Sequence, residues 1–473
     1  MLQNLGRTHR ARPGHRIGPW PTSKRRNHSL IQADSSSQPV TAFSLSVHMT
    51  QITVEGTTAE GFEYIRSLFE QNMHRYLEDK AQLCVYVDDR CVVDLWARPA
   101  DEDAFNGDAL INVFSSGKSL ESIAMAWLVS EGRIQLTDPV THYWPEYAAE
   151  DKGHQTIADV MRHEAGLAAL NQSLDPKDLH RDRLKDNKIG AILAAHPTQY
   201  RPGGAEASRE YHALSRGWIV NEIFRRVDVR GRTIGEFFET EIRGPFNADL
   251  HIGVANDDLA RIARLQPVSI RKHLFYSAWP FAKTRKTHNS LWVLLGRLFN
   301  FALRALMSPG SRPKEAFKDL PIIQAFNDPL IIQGETPSAN AHCSARGLAR
   351  IGSALAMGGS SQGKTLLKPE AWRALHAEPI TRDMNNLNSS FTQGGVAYFS
   401  QDNTGSSAIN QAANQGREGF YGWMGYGGSI FQWHPEKKIS VAFVPTSLHM
   451  LDFVNERGKT YQAELLRCVD AAK

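Results

Sequence analysis

Residues 111–120 read INVFSSGKSL and lead directly into residues 121–133. Apolar and small residues recur there at helical spacing, at Leu120, Ile123, Ala124, Trp127 and Leu128. Gly132 follows, and glycine is the residue type that commonly ends a helix in the left-handed conformation. The pattern therefore predicts a helix that begins near Ser115, with Lys118 three residues later on the same face.

The chemistry of this Ser-x-x-Lys pair fits nucleophilic catalysis. A serine hydroxyl is a weak nucleophile unless a base takes its proton. A lysine can be that base only when its amine is neutral, and both burial and the positive end of a helix favour the neutral form. The pair alone is a common pattern, because Ser115 could simply cap the helix and Lys118 could be a solvated charge.

Length and composition indicate a large globular chain. The sequence has 473 residues, of which 41% are hydrophobic and 22% charged, enough for one large or two ordinary domains. The net charge of +4 arises from residues 1–48, which carry seven Lys and Arg residues and a single acid, Asp34. The rest of the chain is nearly neutral and offers no broad phosphate-binding surface, so we expect no nucleic-acid partner.

Residues 1–48 are rich in Arg, Ser, Pro and Gly and contain no apolar run of the kind that marks a secretory signal. Their acid-poor composition could mark a mitochondrial presequence, although prolines at 13, 19 and 21 disfavour the amphipathic helix that such a signal needs. The alternatives are a disordered leader or a choice of start site, since Met49 precedes the first organised segment. We expect an intracellular protein, cytoplasmic or mitochondrial.

Four cysteines are scattered along the chain: Cys84, Cys91, Cys343 and Cys468. They are too few and too far apart for a disulfide framework or a zinc site. Two strands are predicted at 82–87 and 90–96, around an Asp-Asp turn. In a tight hairpin Cys84 would face Val93 rather than Cys91, so we expect free, buried thiols and a reducing compartment.

Periodicity and turn residues predict the other elements. Further helices are expected at 62–73, 157–164 (with Thr156 as N-cap), 217–223, 233–242, 344–357 and 461–469. A hairpin is expected from residues 427–433 and 439–444. Folded elements therefore extend from near residue 60 to near residue 469.

Residues 266–335 have a different texture, because basic residues alternate with aromatic ones. Residues 291–307 predict an apolar helix with one polar stripe, too interrupted to span a bilayer. We interpret it as an ordinary amphipathic helix packed on the body. Peripheral membrane contact through residues 271–307, or a cap over an active-site mouth, is the alternative.

Taken together, several stretches resemble the serine β-lactamase-like superfamily. This superfamily includes class C β-lactamases, penicillin-binding proteins and, most similar here, their esterase and β-lactamase-domain relatives. The stretches occur in family order over residues 55–470, and that order is far more specific than any one motif. In chain order they are Ser115-x-x-Lys118, residues 132–140, residues 161–167 with His-x-x-Gly-Leu, Pro202-Gly203 followed by Tyr211-His212-Ala213, and residues 422–429.

The resemblance implies a mixed α/β (α+β) fold in which an antiparallel sheet flanked by helices meets a helical subdomain, with the active site between them. It also implies acyl transfer, in which Ser115 attacks a carbonyl carbon. Tyr211, held near phenolate by Lys118, or Lys118 itself would take the proton. The backbone N–H groups of Ser115 and Tyr426 would form the oxyanion hole. The expected substrate pocket includes Trp423, Gly425 and His212, and no cofactor or metal is implied.

Two positions depart from the family pattern. Ala213 stands where the class C second motif ends in Asn, and Trp423 stands where the third motif usually opens with Lys or His. An indole has one N–H donor and no charge, so it cannot pair with a β-lactam carboxylate but can wall an apolar acyl pocket. Of the other motif residues, Tyr211 could be only a half-buried aromatic, and we interpret His163 as a structural hydrogen-bonding residue.

We therefore expect a serine acyl hydrolase, esterase-like, that acts on a small ester or amide. An acyltransferase acting on a small metabolite is a near alternative. A β-lactamase or D-amino-acid peptidase is disfavoured by the missing export signal and by the missing cation in the third motif. A structural protein with a vestigial site is the third alternative, and the sequence does not name the acyl group, the acceptor or the oligomeric state.

Overall fold

The computed structural model describes residues 51–200, 203, 207–278, 292, 295–296, 315–320, 325–384, 387–400, 408–449, 452 and 454–471. The chain divides into Met1–Met49 and Thr50–Lys473, and every described residue belongs to the second unit. Three predicted features lie outside the described residues: the basic leader 1–48, the turn at 201–204 apart from Gly203, and nearly all of the helix at 291–307.

The described part of the chain alternates helices and strands. The strands are β1 Ile52–Thr58, β2 Ala81–Val87, β3 Arg90–Pro99, β4 Ile111–Asn112, β5 Leu250–Ile252, β6 Gln266–Pro267, β7 Ala341–Cys343, β8 Ser360–Ser361, β9 Lys364–Thr365, β10 Ile380–Met384, β11 Leu387–Phe391, β12 Tyr421–Met424, β13 Ile430–His434, β14 Ile439–Pro445 and β15 Ser447–Leu448. The α-helices are α1 Glu63–Arg75, α2 Lys118–Ser130, α3 Ile157–Met161, α4 Arg181–Leu184, α5 Lys188–Ala195, α6 Ser215–Val227, α7 Ile234–Phe237, α8 Gly244–Phe246, α9 Ile270–Ala278, α10 Pro329–Gln333, α11 Ala345–Ala356, α12 Pro369–His376, α13 Ala408–Asn414 and α14 Glu456–Ala471.

Each of the predicted helices within this part is present; α6 and α14 are longer than predicted, and α3 and α7 are shorter. Helix α3 ends at Met161, before the predicted 164, and His163 then adopts a left-handed φ of +67°. Helix α7 is short and continues as a π-helix, Phe238–Arg243, through the rest of the predicted range. Both begin at a threonine N-cap with a capping box, at Thr156 and Thr233.

A six-stranded antiparallel sheet lies at the centre, in the order β1-β3-β2-β14-β13-β12. Strand β2 is buried along its whole length because helices cover both faces of the sheet. Side chains alternate between the faces: Leu83 and Val85 pack with α1 and α14, whereas Cys84 and Tyr86 face the core that includes α2 and α11. This confirms the predicted antiparallel sheet flanked by helices.

The β2–β3 hairpin corrects the prediction for the cysteines. A bulge at Val85/Tyr86 shifts the register, so that Cys84 pairs with Asp94 rather than with Val93. The sulfur atoms of Cys84 and Cys91 are 3.9 Å apart. Both thiols are free, as expected, but Cys91 is exposed because it lies beside the turn. A bulge leaves no mark in the period of the sequence, which is why the expected register was wrong.

Helices α2 and α6 form the centre of the helical region beside the sheet. Gly217 on α6 allows the two helices to approach closely, since a Cβ at this position would lie 2.8 Å from the Glu121 carboxylate and 2.5 Å from the Ser338 nitrogen. Further along α2, Trp127 packs against Phe237 of α7, with ring centroids 4.8 Å apart. This packing fixes the N-terminus of α2 relative to the segment that precedes α6.

The segment 266–335 is described in pieces that include β6, α9 and α10. Helix α9 exposes Ile270 and Phe275, with exposed Arg271 and Lys272 beside them. Within the described residues, no helix has both the length and the apolarity that crossing a bilayer requires. Membrane contact through this segment stays a prediction.

Candidate active site

The nucleophile candidate lies on a tight turn. Ser115 belongs to a 3₁₀ helix, Phe114–Gly117, that leads into α2, so the α-helix itself begins at Lys118 rather than at Ser115. Phe114 has a φ of +45°, which an aromatic residue rarely adopts. The side chain of Asn112 accepts the N–H of Phe114 at 2.7 Å and so supports this conformation. The turn is a strained one held by its surroundings, a common property of functional positions.

Lys118 is completely buried, and three oxygen atoms surround its amine. Its Nζ lies 2.8 Å from the Ala213 carbonyl oxygen, 3.0 Å from the Ser338 carbonyl oxygen and 3.4 Å from Ser115 Oγ. Desolvation lowers the pKa of Lys118 to about 7; Glu121 opposes this shift and Arg216 adds to it. A neutral amine has two N–H groups and one lone pair, so when both carbonyls accept an N–H the lone pair is left to face Ser115.

Tyr211 completes this group from 96 residues further along the chain. Its hydroxyl is hydrogen-bonded to that of Ser115, and Lys118 Nζ lies 4.9 Å from the centre of its ring. Desolvation raises the pKa of Tyr211 to about 12. The expectation that Lys118 holds Tyr211 near phenolate is therefore not supported, because the amine loses its proton more readily than the phenol does.

A buried ion pair beneath the site was missed in the sequence. Arg216 Nε donates to the Glu121 carboxylate at 2.8 Å, and both side chains are fully buried. Arg216 also donates to the Lys118 carbonyl at 2.9 Å and to the Gly395 carbonyl at 3.1 Å. The pair could have been predicted from one feature of the sequence: Glu121 and Arg216 are charged residues on the otherwise apolar faces of α2 and α6. Removing either partner of such a pair leaves an uncompensated buried charge, which costs about 3–5 kcal/mol.

His212 does not line a substrate pocket, and that prediction is wrong. The residue is fully buried, with Nε2 accepting the N–H of Leu167 at 3.1 Å and Nδ1 donating to the Glu210 carbonyl at 2.7 Å. Desolvation accordingly lowers its pKa to about 3. The backbone N–H of His212 donates to Nδ1 of His163 at 3.0 Å, which confirms the structural role expected for His163. Together the two histidines fix the loop that carries Tyr211.

Trp423 lies on β12 beside the Ser115 turn and is 6% exposed. Its ring stacks on Phe391 with centroids 4.9 Å apart and planes 17° apart. Its only N–H donates to the Gly395 carbonyl at 2.9 Å. The side chain of the third motif is therefore buried among other aromatic residues, and its single donor is already engaged.

Gly425 and Tyr426 follow β12 directly. A Cβ at Gly425 would lie 2.2 Å from the Val113 oxygen and 2.1 Å from Ser429 Oγ, so glycine is needed for close approach to the Ser115 turn. Gly425 is itself buried and supports the site without lining an open pocket. Tyr426 is 37% exposed, and its ring meets the edge of Phe114 at 5.6 Å.

The arrangement combines the parts that acyl transfer needs. A hydroxyl, an amine of lowered pKa and a phenol lie in direct contact at the mouth of a helix. In the described part of the chain, no hydrogen bond occupies the backbone N–H of Ser115 or of Tyr426. The same part contains no group of His, Cys, Asp and Glu residues that could hold a metal ion.

Comparisons with known proteins agree with the motifs. A family model described as Beta-lactamase matches residues 65–464. Esterase/beta-lactamase LipL of Mycobacterium tuberculosis (strain ATCC 25618 / H37Rv) is 29% identical over 294 residues, and the match covers 61% of each protein, so this chain spans less than two thirds of that relative.

Two crystal structures show the same fold. One is that of a novel penicillin-binding protein homolog from Caulobacter crescentus, with a TM-score of 0.66, and the other that of a family VIII carboxylesterase, with a TM-score of 0.67. Each is 24% identical, and each match covers 88% of this chain and 100% of the other. Since the family model spans most of the sequence, the chain belongs to the beta-lactamase family.

Proposed function

We propose that this protein is a serine hydrolase that cleaves uncharged carboxylic esters through an acyl-enzyme on Ser115. The observation that carries the proposal is the Lys118 amine, with its pKa lowered to about 7, its two carbonyl partners and its 3.4 Å approach to Ser115 Oγ. An amine of this pKa is largely neutral just above pH 7 and can act as a general base without prior activation.

Acylation begins when Ser115 Oγ attacks the ester carbonyl carbon and its proton passes to Lys118 Nζ. The carbonyl electron pair moves onto oxygen, where the N–H groups of Ser115 and Tyr426 stabilise the negative charge. Collapse of the tetrahedral intermediate breaks the bond to the alkoxy group. The departing oxygen takes a proton from the Tyr211 hydroxyl, which regains one from the Lys118 ammonium.

Deacylation repeats these steps with water in place of the serine hydroxyl. Water gives a proton to the Lys118 amine and attacks the acyl carbon. Collapse of the second tetrahedral intermediate then breaks the bond between the acyl carbon and Ser115 Oγ; Oγ takes the proton back from the Lys118 ammonium, and the carboxylic acid leaves. Because Tyr211 is a neutral phenol hydrogen-bonded to Ser115, it can donate one proton while accepting another, which is the property a relay requires.

Trp423 supports the choice of an uncharged substrate. Its ring surface replaces a cation, and its N–H is committed to Gly395. Position 423 therefore offers a carboxylate on the substrate neither a charge nor a free N–H donor. The names of the relatives, an esterase/beta-lactamase and a carboxylesterase, support an ester as substrate class.

Activity-based labelling tests the proposal. A fluorophosphonate probe should label the wild type, and Ser115→Ala should abolish labelling and lower kcat on p-nitrophenyl butyrate by more than about 10⁴-fold. Ser119→Ala is the matched control, because Ser119 is a buried serine on the same helix outside the hydrogen-bonded group. Ester hydrolysis should exceed nitrocefin hydrolysis. Absence of labelling in folded wild type, or retained activity in Ser115→Ala, would refute the mechanism.

A further inference from the structure

The segment after Asp452 contributes a buried side chain to the active-site loop. Asn455 immediately precedes α14, is 3% exposed and has a left-handed φ of +47°. Its amide nitrogen donates to the Gly425 carbonyl at 3.1 Å and to the Ser429 carbonyl at 2.7 Å. Both amide hydrogens are therefore used, and they hold the two ends of the loop 425–429.

This contact acts on the candidate oxyanion donor through the geometry of one peptide unit. The carbonyl of Gly425 and the N–H of Tyr426 belong to the same planar, trans peptide, so they point in opposite directions. When Asn455 fixes the Gly425 oxygen on the α14 side, the Tyr426 N–H must point to the other side of the loop. A hydrogen bond to the carbonyl also polarises the peptide and makes its N–H a better donor.

The same loop is tied to the nucleophile. Ser429 Oγ donates to the Val113 carbonyl at 2.7 Å and lies 3.1 Å from Ser116 Oγ. Within the loop, the Gly425 N–H donates to the Ser429 carbonyl at 2.8 Å. Arg457 of α14 adds a hydrogen bond to the Gly427 carbonyl. The loop is thus held from α14 on one side and from the Ser115 turn on the other.

We infer that Asn455 is a positioning residue for the oxyanion hole, which fixes the Tyr426 N–H relative to Ser115. The inference rests on the proposed function, since it assigns Asn455 to the tetrahedral intermediate of that reaction. Asn is suited to this position for two reasons: its side chain supplies two hydrogens from one nitrogen, and it tolerates the left-handed backbone better than most residues.

Asn455→Asp is the direct test, because it keeps the shape and the backbone preference but cannot supply both hydrogens. Asn455→Gly is the second variant, since glycine removes the amide and adopts the left-handed backbone freely. Gln462→Glu is the matched control: Gln462 is a buried amide of α14 whose nitrogen bonds Gln432, away from the loop. The measurements are kcat and KM for p-nitrophenyl butyrate, the inhibition constant of an alkyl boronic acid, and the thermal unfolding temperature.

For the Asn455 variants, kcat and boronate affinity should fall together by about 10- to 100-fold, less than the 10²- to 10³-fold for outright loss of a donor. KM should stay within about threefold of wild type, because the hydrogen bonds of the hole are strongest when the oxygen carries the negative charge of the tetrahedral state. A general loss of packing would instead lower all three variants alike.

The inference is overturned if either folded Asn455 variant keeps wild-type kcat and boronate affinity. It is also overturned if Gln462→Glu loses as much as the Asn455 variants do. An inactive wild type is a different result, since it refutes the proposed function and removes this inference with it.

Discussion

Replacing Lys118 with methionine tests the buried amine without any substrate. The pKa of Lys118 is lowered to about 7 in the folded protein by desolvation, whereas a lysine in an unfolded chain has a pKa of about 10.4. Between these two pH values the unfolded chain binds more protons than the folded protein. The free energy of unfolding of the wild type, relative to Lys118→Met, must therefore rise with pH across this window.

The magnitude follows from the two pKa values. Their difference corresponds to a destabilisation of about 5 kcal/mol, present in full below pH 7 and lost above about pH 10.4. Between pH 7 and 9 the wild type should gain about 2 kcal/mol relative to the variant. Methionine leaves the carbonyls of Ala213 and Ser338 without their partner, at about 1–3 kcal/mol each. That loss does not change with pH. The test is therefore how the difference in unfolding free energy between wild type and variant changes with pH, and not the size of that difference at one pH.

Urea denaturation at pH 6, 7, 8 and 9, followed by tryptophan fluorescence, measures this slope. Lys272→Met, on an exposed part of α9, serves as the control for the loss of a lysine as such. A difference between wild type and Lys118→Met that stays constant within about 0.5 kcal/mol from pH 7 to 9 would refute the neutral-amine argument. The base proposed for Ser115 would then have to be sought elsewhere.

Three further predictions concern rate, packing and capping. The kcat/KM for p-nitrophenyl butyrate should rise about tenfold per pH unit below pH 7 and level off above it. The reason is that the pKa of Lys118 is lowered to about 7 and that of Tyr211 is raised to about 12. A kcat/KM that does not change from pH 6 to 9 would contradict this. Gly425→Ala should lower kcat by about 100-fold or more, because its Cβ would press on the Val113 oxygen beside the nucleophile. Gly244→Ala is the control and should leave kcat unchanged, since the space around Gly244 is open. Near-normal kinetics of Gly425→Ala would contradict the close approach. Thr156→Ala should cost about 1 kcal/mol in urea unfolding without a change in kcat, because it removes the capping box at the start of α3, and an unchanged unfolding midpoint would show that the cap contributes nothing.

Local features of the fold were predictable because each has a cause within a few residues. The side chain of Thr156 accepts a hydrogen bond from a backbone N–H in the first turn of its own helix. Gly132 and Gly358 adopt the left-handed conformation that commonly ends a helix. The β13–β14 hairpin also follows from short-range turn residues. The β2–β3 bulge does not, because which residues lie opposite each other depends on the neighbouring strands and helices.

At the site, the Ser-x-x-Lys spacing predicted that Ser115 and Lys118 lie together, and the family resemblance implied that Tyr211 joins them, but neither predicted their acid–base relation. The proton affinities of Lys118 and Tyr211 depend on burial and on the Glu121–Arg216 pair, neither of which is a local property. His212 was misassigned because its position, too, depends on non-local packing. It is next to Tyr211 in sequence, but its ring turns into the interior and binds backbone groups. Adjacency along the chain says little about which side of a loop a side chain occupies.

The two departures from the family pattern are connected by charge. With Ala213 in the second motif, the Lys118 amine is held by backbone carbonyls, which accept hydrogen bonds but never supply them. The Arg216 guanidinium lies 5.2 Å from the Trp423 ring centre, and Lys118 Nζ lies 5.8 Å from a ring of the same indole. A cation at position 423 would therefore add a second positive charge beside the Arg216 guanidinium in a desolvated region, whereas an indole gives that guanidinium a favourable aromatic face. The neutral third motif thus fits both a substrate without a carboxylate and the buried guanidinium beneath the site.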